Sequence, residues 1–135
     1  MKLLLVIHSM ESGGAERVAS LLGNHWITRG WEVCIVTLTS SESDFYPLNA
    51  GIRRIGLKLD NDSRNVLEAA LMTIRRCLAL RKTIKQERPD LILGMMTATN
   101  CLIALAGVAL KIPKIGAERC AGPELKNRDI SFTIR

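Results

Sequence analysis

Lys2-Leu3-Leu4-Leu5-Val6-Ile7-His8-Ser9-Met10-Glu11-Ser12-Gly13-Gly14-Ala15-Glu16-Arg17-Val18-Ala19 contains a strand, a glycine turn and the start of a helix in one short stretch. Lys2–Ile7 is a continuous Leu/Val/Ile run, the pattern of a parallel strand whose two faces are both covered by helices, so it is expected at the centre of a sheet. Beyond the loop Ser9–Gly14, apolar residues recur at Ala15, Val18, Ala19, Leu22 and Trp26, while Glu16, Arg17, Asn24 and Arg29 face away, the one-sided spacing of an amphipathic helix. Gly30 closes that helix. Trp31–Leu38 then reads as a second strand, Ser40–Asp44 as polar loop, and Ile52–Leu57 as a shorter third strand.

Downstream, Asn61, Asp62 and Ser63 supply cap candidates for a long helix. Leu67, Ala70, Leu71, Ile74 and Leu78 form its expected buried stripe, and Pro89 stops it. Leu91–Met95 is the fourth strand, Ala98–Leu110 an apolar helix, and Lys114–Ala117 the fifth strand. The order β-α-β-β-α-β-α-β with right-handed crossovers defines an α/β fold, Rossmann-like and doubly wound, with a mostly parallel sheet in the order 3-2-1-4-5. After Glu118 the chain turns polar, and Asp129–Arg135 stops without a cap or closing helix, so residues 1–135 are expected to be one domain of a truncated piece.

With 135 residues and 47% apolar composition, the chain can bury one core without metal or disulfide staples. Cys34, Cys77, Cys101 and Cys120 lie far apart, with no Cys-x-x-Cys pair and no histidine at a metal-ligand spacing, so they read as reduced cysteines and no metal site is expected. The apolar run Leu3–Ile7 is too short for a signal segment, and Cys101–Leu110 spans only about half of the roughly 20 residues a membrane-crossing helix needs. A net charge of +6 and a pI near 9.5 favour anionic partners. Aromatics at 4% argue against a single-stranded nucleic-acid platform, which stacks bases on aromatic faces.

Ligands of doubly wound sheets bind outside the carboxyl ends of the strands, where neighbouring strands wind in opposite directions. That crevice lies between strands one and four, and Ser9–Gly14, Met96–Asn100 and Glu118–Arg119 converge on it. Gly13 and Gly14 open a helix, where missing side chains let a diphosphate approach backbone N–H groups at the positive end of the helix dipole. A tight turn without a ligand would use the same glycines. Glu16 is either a capping-box residue or a cleft residue, and His8 is either structural or a base. Asn100 either satisfies nearby backbone or binds a substrate hydroxyl. Glu118 and Arg119 form either a surface ion pair or an anion clamp. Arg75, Arg76, Arg81, Lys82 and Lys85 crowd one helix, as a solvated face or as attraction to an anionic leaflet. The dehydrogenase and P-loop readings drop, since neither G-x-G-x-x-G nor G-K-[ST] is present.

Gly13-Gly14-Ala15-Glu16-Arg17-Val18-Ala19, between the Lys-Leu-Leu-Leu-Val-Ile strand and Leu21-Leu22, resembles the opening of glycosyltransferase family 4. Arg88-Pro89-Asp90, Asn100 and Glu118-Arg119 resemble that family's lipid-linked-oligosaccharide branch, and the likeness covers nearly the whole chain. The resemblance implies half of a GT-B fold, the N-terminal acceptor-side domain, with the C-terminal nucleotide-binding domain and its paired glutamates absent. It implies sugar transfer with retention, without a metal or other cofactor, from a nucleotide-sugar donor to a glycan or lipid-linked acceptor. Gly13 and Gly14 would then meet the donor diphosphate, and Asn100, Glu118 and Arg119 would lie on the acceptor or cleft side. Cys120 stands where many relatives have asparagine, and His8 matches no family motif. The location implied is cytoplasmic, peripheral on the inner face of the membrane, and this piece alone would be inactive. The competing reading is a non-catalytic interaction module whose basic helix docks on anionic membrane or protein.

Overall fold

The computed structural model describes residues 1–118, and Arg119, Cys120 and Asp129–Arg135 lie outside the described residues. The elements are β1 (Lys2–Ile7), α1 (Gly14–Thr28), β2 (Glu32–Thr37), a 3-10 turn (Ser41–Ser43), β3 (Arg53–Gly56), α2 (Val66–Glu87), β4 (Leu91–Met95), α3 (Thr97–Ala106) and β5 (Lys114–Ala117). The sheet order is β3-β2-β1-β4-β5, as the sequence predicts, and among the described residues every pairing is parallel. Leu3 aligns with Val33 on one side and Leu91 on the other, which places β1 at the centre.

Alternation along β1 divides the core in two, because successive side chains leave a strand on opposite faces. Leu3, Leu5 and Ile7 pack with Met10, Ala19, Ile35 and Leu93 on the α1 face. Leu4 and Val6 pack with Val36, Leu80, Ile84, Ile92, Leu102 and Ile103 beneath α2 and α3. The α1 stripe is as expected: Ala19 is buried, and Ala15, Val18, Leu22 and Trp26 lie against the first cluster. Gly30 takes φ +80 just past the helix, where its missing Cβ removes the steric penalty of the left-handed region.

The long helix departs from the sequence reading. Its cap is Asn65, whose side chain accepts from Glu68 N at 2.8 Å, while the Glu68 carboxylate accepts from Arg64 N at 2.8 Å; Asn61, Asp62 and Ser63 remain in the preceding loop. The expected buried stripe is exposed: Leu67 by 71%, Leu71 by 50%, Ile74 by 55% and Leu78 by 62%, with Ala70 exposed too. The residues α2 buries are Leu80, Thr83, Ile84 and Glu87. Length explains the difference. At 1.5 Å per residue, α2 runs roughly 33 Å, whereas the longest strands rise only about 20 Å. Only the last turns reach the sheet, and the first half overhangs its carboxyl edge. Arg88 ends the helix at φ 48 and ψ 56, because the following Pro89 disfavours another helical residue.

α3 ends at Ala106, four residues before the predicted Leu110, because Gly107 caps it and Ala109 turns at φ 63. Lys114 folds back there, its Nζ donating to Leu110 O at 3.0 Å and Ile112 O at 3.1 Å. The expected burial of this apolar segment holds for Leu102, Ile103 and Ala106, while Leu105 and Val108 are exposed.

Candidate functional site

The carboxyl ends of β1 and β4 flank the crevice, because α1 packs on one sheet face and α2 and α3 on the other. The chain after β1 is held there by its own backbone. His8 O accepts from Leu38 N at 3.0 Å and Thr39 N at 3.2 Å, and Met10 O accepts from Phe45 N at 2.8 Å. The β2–β3 connection that supplies these donors is pinned by Arg54. Its Nε and Nη2 bond both Asp44 oxygens at 2.6 Å, and its Nη1 donates to Ile35 O at 3.0 Å. A planar guanidinium on a carboxylate is a directional pair, so it fixes the loop's path as well as its charge balance.

Gly13 is the N-cap of α1, with extended backbone and no side-chain cap. Among the described residues, none accepts a hydrogen bond from the amides of Gly13, Gly14 or Ala15. A Cβ built on Gly14 meets no atom within 4 Å, so open space faces the first turn of the helix. A Cβ on Gly13 would collide with the Glu16 carboxylate, which folds back over the turn without making the capping-box hydrogen bond. The turn thus offers unpaired donors and a helix dipole to an anion, with Glu16 as the movable negative group beside it. His8 is exposed at the end of β1, and His25 is exposed on α1.

On the other side of the crevice, Asn100 turns inward. Its Nδ2 donates to Glu118 Oε1 at 2.9 Å and to Ala117 O at 3.4 Å, and its buried Oδ1 has no partner. Thr97 Oγ1 donates to Glu118 Oε2 at 2.7 Å. Asn100 therefore satisfies nearby backbone and orients Glu118, whose exposed carboxylate stands at the start of α3, where the helix dipole favours it. Sequence reasoning missed Thr97 and two glycines. A Cβ on Gly94 would collide with Asn100 Oδ1, and one on Gly116 would lie 3.0 Å from Asn100 Cγ and Nδ2, so glycine in β4 and β5 is what admits the carboxamide. Glycine inside a strand was the available signal. Met96 joins β4 to α3 at φ 76 and ψ 150, a conformation costing about 1–3 kcal/mol for a residue with a side chain.

The basic helix residues divide. Arg76 Nε donates to Leu59 O at 2.7 Å, and Arg81 Nη1 donates to Ala106 O at 2.8 Å and Val108 O at 2.7 Å, so both guanidinia serve the fold. Arg75, Lys82 and Lys85 are exposed. At the opposite, amino-terminal edge of the sheet, buried Glu87 pairs with Lys2 at 3.1 Å and Arg53 at 3.2 Å, although its Oε2 lacks an aligned hydrogen bond. Burial, and secondarily that carboxylate, pushes the neighbouring Cys34 thiol up to about 11. Among the described residues no three His, Cys, Asp or Glu side chains gather as a metal site, and no helix is long and apolar enough to cross a membrane.

A parallel sheet in this order, with a glycine turn at its switch point, defines a Rossmann-like domain of the kind that makes up each half of a GT-B enzyme. The sequence matches the glycosyl transferase 4-like domain over residues 13–129, and the chain belongs to that family. It is 29% identical over 135 residues to the GalNAc-alpha-(1->4)-GalNAc-alpha-(1->3)-diNAcBac-PP-undecaprenol alpha-1,4-N-acetyl-D-galactosaminyltransferase of Campylobacter jejuni, covering 100% of this chain and 37% of that protein. Sucrose-phosphate synthase from Thermosynechococcus elongatus superposes with a TM-score of 0.70 at 13% identity, over 90% of this chain and 33% of that one. A Rickettsia africae glycosyltransferase gives 0.61 at 16% identity, over 85% of this chain and 28% of that one. UDP-GlcNAc 2-epimerase from Methanocaldococcus jannaschii gives 0.52 at 17% identity, over 94% and 34%. These structural likenesses establish the fold. The epimerase illustrates that the fold by itself does not choose the chemistry. The chain spans about a third of the length of the proteins it matches.

Proposed function

We propose that this chain is the acceptor-side half of a retaining glycosyltransferase that moves a sugar from a nucleotide-sugar donor to a lipid-linked glycan. The observation that carries the reading is the Gly13–Gly14 turn: unpaired amides open α1 toward empty space at the switch point of the sheet. Donors fixed in place before the ligand arrives stabilise charge building on a leaving diphosphate without reorganising, so no metal or other cofactor is required in the proposal. Glu118, held by Thr97 and Asn100, faces the acceptor side, and Arg119 is proposed as a clamp on an anionic substrate group. Membership of the family supports transfer, and the Campylobacter relative, whose name specifies a glycan on PP-undecaprenol, supports a lipid-linked acceptor. In this proposal the work is done at the cytosolic face of a membrane, with exposed Arg75, Lys82 and Lys85 attracting acidic lipid. The partner half would supply the nucleotide pocket.

The test is turnover of labelled nucleotide sugars by the full-length protein, with membrane extract as acceptor. Wild type and Arg119→Ala are compared with and without a chelator. Labelled lipid-linked product, insensitive to chelation and lowered at least about tenfold by Arg119→Ala, is expected for a lost charge-assisted contact. If wild type consumes no nucleotide sugar, the interaction-module reading replaces this one.

A further inference from the structure

The β2–β3 connection carries two adjacent aromatics, Phe45 and Tyr46, in a chain whose aromatic content is only 4%. Their rings meet edge to face, with centroids 5.0 Å apart and planes at 84°, yet Phe45 is 66% exposed. The core does not use that ring. Its backbone is nevertheless held on both sides. Arg54 grips both Asp44 oxygens, Phe45 N donates to Met10 O at 2.8 Å, and Pro47 O accepts from Ser20 Oγ at 2.9 Å and Asn24 Nδ2 at 3.0 Å. A side chain on so fixed a backbone is placed before any ligand arrives, which lowers the ordering cost of binding.

The ring stands at the crevice. Gly13, Arg17, Ser20 and Asn24 follow one another along α1 at steps of four, three and four residues, so they share a row. Pro47 is bonded to the last two, and the chain from Pro47 back to Phe45 runs toward the first two, ending where Phe45 N meets Met10 O. Met10 lies three residues before Gly13, a chain reach of at most about 11 Å. Phe45 is therefore beside the phosphate turn on the β2 side of the crevice, across from Asn100 and Glu118 on the β4–β5 side.

The surroundings select the ligand. From Leu38 to Gly51 the connection has no lysine or arginine; it carries Glu42, Asp44 and the hydroxyls of Thr39, Ser40, Ser41 and Ser43. That charge disfavours nucleic acid or acidic lipid. A protein interface of ordinary size buries about 800 Å² on each partner, more than one or two rings of at most about 250 Å² each supply. A neutral pyranose fits. Its axial C–H groups carry a slight positive charge that suits the negative face of an aromatic ring, and its rim hydroxyls suit a phenol and carboxylates nearby.

We infer that the Phe45 ring is a stacking platform for a pyranose of the acceptor glycan, with Tyr46 bracing it edge-on and offering its hydroxyl to the rim of the sugar. This deepens the transfer reading and rests on it for the acceptor role, whereas the stacking itself is a property of the loop. It makes Phe45 a specificity-determining residue. A flat aromatic face favours a pyranose with C–H groups along one side and disfavours one that presents an axial hydroxyl there.

The experiment is saturation-transfer NMR on the full-length protein with methyl pyranosides of glucose, galactose and their 2-acetamido derivatives, and with glucitol, which has the hydroxyls but no ring face. At least one pyranoside is expected to receive saturation at its ring C–H protons, and glucitol none. Phe45→Ala is expected to weaken that pyranoside about three- to tenfold, the worth of an aromatic contact, with little change in the melting curve because the ring is exposed. Phe45→Trp is expected to keep it. In turnover with labelled donor and membrane extract, Phe45→Ala is expected to raise the half-saturating extract by a similar factor and to leave KM for the donor unchanged. The inference fails if no pyranoside receives saturation, if glucitol receives as much, or if Phe45→Ala binds as wild type does. It also fails if KM for the donor rises in place of the half-saturating extract, because the ring then faces the donor. Stacking is scored without donor or transfer, so pyranosides that bind through Phe45 on a protein that turns over no nucleotide sugar support the platform and count against the transfer reading alone. Active transfer that Phe45→Ala leaves untouched overturns the platform and leaves that reading standing.

Discussion

Replacing Gly14 by aspartate separates what the turn does for the fold from what it does for a ligand. The new side chain enters open space, since no atom lies within 4 Å of the Cβ position. In the first turn, a carboxylate gains about 0.3–1 kcal/mol from the helix dipole, and loss of a helical glycine adds up to about 1 kcal/mol. Stability is therefore expected to hold or rise, with the melting temperature unchanged or a few degrees higher. The donor sees the opposite. A carboxylate about 5 Å from one phosphate charge costs on the order of 3 kcal/mol at an effective dielectric of about 20. A diphosphate carries more charge, and exposure of the turn screens it, which leaves a net penalty of about 2 kcal/mol or about 30-fold in affinity. Titration calorimetry of the full-length protein with the proposed nucleotide-sugar donor, run beside a thermal melt, reads both. Gly14→Ala adds a Cβ without charge and isolates steric approach. If folded Gly14→Asp binds donor as tightly as wild type, no diphosphate sits at this turn and the glycines serve the fold.

Gly56→Ala is expected to destabilise by about 1–3 kcal/mol, because its Cβ would lie 2.7 Å from Ser41 N and 2.9 Å from Thr39 O, backbone atoms that cannot rotate away; calorimetry should show a melting temperature lower by about 3–10 °C. Asn100→Asp removes the donor to Glu118 and sets two carboxylates together, so it should lose about 1–3 kcal/mol near neutral pH and recover on acidification, as read by urea melts across pH. The Cys34 thiol, raised to about 11 from 9.0, should resist alkylation in the native state at pH 8 while exposed Cys101 reacts. The raised value also sets a sign. The unfolded chain gives up this proton first, so Cys34 lowers stability only as pH climbs from about 9 to about 11, a loss that Cys34→Ser should abolish.

The sheet order was legible because β1 is apolar on both faces and the remaining strands are punctuated by glycine, proline and polar loops. α2 was misread for a physical reason: leucine spacing reports that a face is apolar, not which surface covers it, and the overhang depends on strand length, a property of other segments. The α1 turn was visible as paired glycines at a strand end. Asn100 was visible as a residue, but its inward turn depends on Gly94 and Gly116, brought beside it only by the pairing of β4 with β5. Arg76 and Arg81 looked like free charges because their acceptors, Leu59, Asn61, Ala106 and Val108, are backbone carbonyls that carry no signature in sequence.

The loop after β1 owes its path to carbonyls at His8 and Met10 and to amides at Leu38, Thr39 and Phe45. Main-chain bonds of this kind do not depend on which side chains the positions carry. Substitutions at exposed Glu11 or Ser12 can then redraw the wall of the crevice while its course is preserved. Such a loop can change the ligand it faces one residue at a time without passing through a misfolded ancestor.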